Sequence, residues 1–177
     1  MKRVIIRGPL LTNSGYGVHT RQIFRWLHSK ADVEITSQIL PWGITSWIVD
    51  AETENGLIGK IIKSSVATQG IYDMSIQVQL PNEWDPKLAN FNVGITALVE
   101  TDVCNPDWLA CIDRMDLVIV PSEHVKKTIE RTGKTSTPVV VVPESFVDEI
   151  LDENLSSNFQ FSTNFNFLLV GQVTGNT

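Results

Sequence analysis

The stretch from Gly94 to Gly133, "GITALVETDVCNPDWLACIDRMDLVIVPSEHVKKTIERTG", reads as strand, helix, strand, helix. Val93 to Val99 is a mostly apolar run bounded by polar residues, as expected of a strand covered on both faces. Trp108, Ile112 and Met115 form a helical stripe, opened by Asn105 as N-cap with Pro106 in the first turn. Leu117 to Val120 is a second buried strand. After Ser122 a further helix carries Val125 and Ile129 at i, i+4 spacing and stops near Gly133.

The same alternation extends in both directions. Val4 to Ile6, Val33 to Leu40, Met74 to Leu80, Val139 to Val142 and Phe167 to Val170 read as further strands, and Thr20, Ile23, Phe24 and Leu27 share one face of a helix. Strand and helix repeated in this way predict an α/β fold, a Rossmann-like doubly wound, mostly parallel sheet. In "YDMSIQVQL" the apolar Met74, Ile76, Val78 and Leu80 alternate with polar residues, which predicts a strand with one wetter face. Leu57, Ile58, Ile61 and Ile62 suggest another helix, whereas Trp42 and Trp47 fall in irregular sequence with no assignable place. Residues 1–155 form the expected main domain. Ser156 to Asn166, rich in Ser, Asn and Phe, reads as a linker, and residues 167–177 open like the first strand of a truncated second domain.

At 177 residues and 42% apolar, the chain can bury one sizeable core. The net charge of -6 and the lack of a long basic run argue against a binder of nucleic acid. The apolar start is broken at Arg7, Gly8 and Pro9, too early for a signal-peptide core, and no run is long enough for a transmembrane segment. A cytoplasmic protein is expected, with Cys104 and Cys111 as reduced thiols rather than metal ligands. No metal site and no cofactor are expected.

In an open parallel sheet ligands bind beyond the carboxyl ends of the strands. The loops there hold Thr12 to Gly17, Pro81 to Asp85, Glu100 to Asp102, Ser122 with Glu123, and Glu144 with Ser145. Gly15 and Gly17, in "SGYGVHTR", let a backbone approach a phosphate or sugar, with a helix starting near His19 turning its positive end to the ligand. Thr20 replaces the third glycine of a dinucleotide fingerprint and no acid ends the second strand, so a dinucleotide site is disfavoured; no P-loop is present.

Glu100-Thr101-Asp102, Trp108, the run Asp116 to Ser122, Gly133, the strand Val139 to Pro143 and the glycine loop, taken in order, resemble the N-terminal half of a retaining glycosyltransferase of the GT-B fold. The family's glycine-bearing turn after the last strand is missing from "PESFVD". The resemblance implies a domain that selects a carbohydrate or other hydroxyl acceptor, a nucleotide-sugar donor that is a substrate and not a cofactor, and no metal. It also implies a missing C-terminal domain that supplies a basic residue and paired glutamates, so that this piece alone is inactive.

On that basis Glu100 and Asp102 are the candidate catalytic residues, positioned to orient an acceptor hydroxyl, with helix capping and solvated loop charge the equal alternative. Gly15, Tyr16, Gly17 and His19 are the candidate donor phosphate or sugar contacts. Asn82, Trp84, Thr101 and Ser122 are the candidate acceptor contacts, Trp84 by stacking and Ser122 in addition to its N-cap role. Trp108 reads as core. Two competing readings stand beside the transferase. One is a stand-alone sugar- or nucleotide-binding module that forms homo-oligomers through its exposed terminal strand; the other is a nucleotide-sugar isomerase, which the lack of a complete acid/base set disfavours.

Overall fold

The computed structural model describes residues 1–66, 70–146, 151–152 and 160–169. The elements run β1 (Lys2–Gly8), α1 (Gly15–His28), β2 (Val33–Ile39), α2 (Thr53–Lys63), β3 (Tyr72–Val78), β4 (Ala89–Ile95), α3 (Asp107–Ile112), β5 (Leu117–Val120), α4 (Glu123–Thr132) and β6 (Val139–Val141). All six strands pair in parallel in the order β2-β1-β3-β4-β5-β6. The expected doubly wound α/β sheet is present. The strand order reverses at β1, so loops leaving β1 and β3 diverge and open a crevice at the carboxyl ends of the strands. Among the described residues no helix is long and apolar enough to cross a membrane.

Alternation sorts the sheet into two faces. Ile6, Ile76, Val78, Val93 and Ile95 join Phe24 and Leu27 of α1 in one core. Val118 and Val120 point the other way and pack with Ile112 of α3 and Val125 and Ile129 of α4. The α1 side is less well covered over β4 to β6: Phe91, Val140 and Val142 are 40%, 37% and 50% exposed, although register places Val140 beside Ile119 on that face.

The polar face expected to be wet is instead buried. Ser75, Gln77 and Gln79 of the β3 stretch are shielded from water by the connection to β4, which holds one 3-10 turn (Pro81–Glu83) and no α-helix. The Gln77 side-chain amide replaces missing ladder bonds: its Nε2 donates to the Asp85 carbonyl and its Oε1 accepts from the Asp85 amide, both at 2.7 Å. Arg7 Nη1 donates to the Glu83 carbonyl (2.8 Å), and Asn92 Nδ2 to the carbonyls of Pro86 and Ala89. Most of these buried polar groups survive because they find such partners, but Arg7 Nε, Gln79 Oε1 and Trp84 Nε1 are buried without one among the described residues.

Several expected boundaries move. β4 ends at Ile95 instead of Val99, because the next amides turn to side chains: Ala97 donates to the Tyr16 hydroxyl (2.9 Å) and Leu98, at φ 54°, to Thr96 Oγ1 (3.1 Å). Met115 lies beyond α3, in the turn stopped by Asp113, which accepts from the Ser136 and Thr137 amides. α2 opens with Glu54, Asn55 and Gly56 in the left-handed region, braced by Glu54 carboxylate bonds to Arg21 (2.6 Å) and Arg25 (2.8 Å). The sheet and both cores lie in a unit spanning Met1–Ser145; Phe146–Thr177 forms a second unit. There, Phe167–Leu169 belongs to no ladder, because no described strand pairs with it, and Val170 with the rest of the expected strand lies outside the described residues. Residues 156–159 of the expected linker also lie outside them.

Candidate functional site

The chain leaves β1 through Pro9 and Leu10 and enters α1 at Gly15. Ser14 caps the helix, its Oγ accepting from the Gly17 amide (3.0 Å). The helix therefore starts one turn earlier than expected, and His19 sits in its second turn rather than at its start. Gly17 has a packing reason to be glycine: a Cβ there would lie 2.2 Å from the Thr12 carbonyl oxygen. At Gly15 an added Cβ would meet nothing within 4 Å.

At the carboxyl ends of β3, β4 and β5 these residues border a crevice of about 190 Å³. Gly15, Tyr16 and His19 line it from α1, Val78 and Ile95 from strand ends, Thr96, Ala97 and Pro121 from the loops that follow, and Glu144 from the chain leaving β6. Its base is apolar and its polar groups converge from different elements, the usual composition of a small-molecule site. His19 Nδ1 meets Glu144 Oε1 at 2.7 Å, and Gln22 Nε2 donates to the Ser145 carbonyl at 2.9 Å. The exit from β6 is thus held against α1 at two points. The His19 hydrogen bond, then its charge, hold the Glu144 carboxyl below the usual carboxylate value, against the upward push of burial. Burial pushes the Tyr16 phenol up, although its hydroxyl is engaged by Thr96 Oγ1 (3.1 Å) and by the Ala97 amide.

The crevice brings together Gly15, Tyr16 and His19; the other sequence candidates are not among the residues that line it. Glu100, Thr101 and Asp102 lie on the exposed loop after β4, where Asp102 pairs with Arg131 (3.1 Å) and Thr101 Oγ1 donates to the Val103 carbonyl (2.7 Å). Ser122 caps α4, its Oγ accepting from the Val125 amide, beside the crevice-lining Pro121. Asn82 is exposed on the 3-10 turn. Trp84 cannot offer a stacking face: it is 4% exposed, in the α3/α4 core, with its ring filling the space that Gly94 leaves. Sequence reasoning missed Thr96 and Ala97, placed here only because β4 ends early, and left Glu144 in a loop without a role. A wider groove of about 380 Å³ runs beside Lys126, Glu130, Gly133 and Lys134, but at the amino end of β6, away from the converging loops.

No family profile, no curated protein and no solved structure matches this chain.

Proposed function

We propose that this chain is the acceptor-side domain of a cytoplasmic retaining sugar transferase that draws on a nucleotide-sugar donor, and that its crevice faces the donor's diphosphate and sugar once a second domain closes over it. The observation that supports this reading is the convergence of Gly15, Tyr16, His19 and Glu144 at the carboxyl ends of a parallel sheet, where the resemblance expects the donor side of the cleft. His19 Nδ1–H donates to the Glu144 carboxylate, so in the doubly protonated ring Nε2–H can donate to a phosphate or sugar oxygen as negative charge develops on the leaving group. The positive end of α1 adds to that effect. Glu100 and Asp102, on the exposed loop, act on the acceptor in this reading rather than on the donor.

The test is to read the coding sequence past Thr177 and to assay the encoded protein for transfer from a panel of nucleotide sugars. The expected result is a second α/β domain carrying a basic residue and paired glutamates, with transfer reduced about a hundredfold by His19→Ala. A stop codon directly after Thr177, or transfer indifferent to His19→Ala, overturns the proposal. A second reading, a binding module that self-associates, draws on the exposure of Phe167, Leu168 and Leu169; it expects a dimer in sedimentation that Leu168→Lys converts to monomer.

A further inference from the structure

Trp42 and Trp47 find their place on a strap beside the glycine loop, Trp42 against the crevice-lining Tyr16. The strap of residues 41–48 is pinned to the glycine loop: the Ile48 amide donates to the Leu11 carbonyl (2.7 Å), the Asn13 amide to the Ser46 carbonyl (3.0 Å), and Asn13 Nδ2 to Ser46 Oγ (2.8 Å). Thr12 and Trp47 form an antiparallel bridge. The Trp42 ring stacks on Tyr16, centroids 4.3 Å apart and planes 22° off parallel, and Tyr16 is itself a wall of the crevice. An aromatic surface therefore runs without a break from the crevice to the strap. Beyond it Trp47 stays 46% exposed, although backbone bonds fix the segment that carries it, and Ile44 is wholly exposed.

Charge selects what such a surface can hold. The strap of residues 41–48 carries no charged side chain, and the first charges that follow it, Asp50 and Glu52, are acidic. The strap itself therefore offers no cation to a phosphorylated ligand or an anionic membrane surface. A neutral, hydroxyl-rich ring is complementary: its C–H face packs on an indole, and its hydroxyls donate to carboxylates and loop carbonyls.

We propose that the Trp42–Trp47 strap is a subsite for an uncharged sugar ring, joined to the crevice through Tyr16. This rests on the acceptor-side reading above and goes beyond it by naming the residues and the chemistry: the acceptor is a neutral glycan, held by aromatic stacking on the strap.

The test presents the full 177-residue chain to an array of neutral oligosaccharides and titrates the best-retained one by tryptophan fluorescence and saturation-transfer NMR. Trp47→Ala is expected to weaken binding about tenfold, Trp47→Phe to restore most of it, and Trp26→Ala, an exposed indole elsewhere on α1, to change nothing. Unchanged thermal unfolding shows that the variants are folded. Retention of no neutral glycan overturns the proposal, as does equal binding by Trp47→Ala. Trp47-dependent sedimentation with phosphatidylcholine vesicles in place of glycan binding overturns it in favour of a membrane surface. Glycan binding through Trp47 alongside transfer indifferent to His19→Ala would sustain this subsite while removing the transferase reading.

Discussion

A methyl group at Gly17 would lie 2.2 Å from a backbone oxygen, while the same group at Gly15 would stand in open space. Gly17→Ala is therefore expected to destabilise the chain by about 3 kcal/mol, and Gly15→Ala to shift stability by less than about 1 kcal/mol, both read from urea midpoints. Glu144 offers a second test. Its folded-state pKa lies below the ordinary value of 4.5, so the unfolded chain takes up the proton first as pH falls. The stabilisation it gives is complete above 4.5 and disappears as pH drops through the lowered value. Urea midpoints of the parent and of Glu144→Gln should thus differ most near neutrality and converge in acid. Tyr16 runs the other way: its raised value predicts late ionisation in an ultraviolet titration, with stability lost as pH climbs past the ordinary 10.0. The glycines of the site were legible because spacing in one loop is a local signal. The His19–Glu144 pair was not, because its partners lie on α1 and beyond β6 and nothing in either neighbourhood marks the other.

Among the elements, the connection from β3 to β4 is the unusual one, since parallel strands are usually joined through a helix. Gln77 stands in for part of that helix. Gln77→Leu would leave the Asp85 amide and carbonyl without their partner, an expected loss of about 3 kcal/mol with faster hydrogen exchange at Asp85. The strands themselves were readable, because β1, β5 and the centre of β4 are apolar runs that only a covered parallel sheet explains. Their ends were less readable. β4 stops where the Tyr16 hydroxyl captures an amide, a contact that no propensity encodes. The alternation in "YDMSIQVQL" correctly marked two unlike faces, but periodicity does not distinguish a face met by water from one met by buried backbone. α2 hides a further surprise in its first turn: Asn55→Gly, at φ 57°, should stabilise the chain by about 0.5 kcal/mol because glycine occupies the left-handed region without steric cost.

For the whole molecule, the six-stranded sheet, both cores and the crevice lie within Met1–Ser145. A chain ending at Ser145 keeps the bonds from His19 and Gln22 and should unfold in one cooperative step by calorimetry. The thinly covered sheet face over β4 to β6 also has a colloidal consequence. In dilute buffer a net charge of -6 keeps copies apart. Salt shortens that repulsion to about 10 Å at 0.1 M ionic strength and leaves the attraction between Phe91, Val140 and Val142 of neighbouring copies untouched. Concentrated solutions should therefore turn cloudy as salt is raised and clear again on dialysis into dilute buffer.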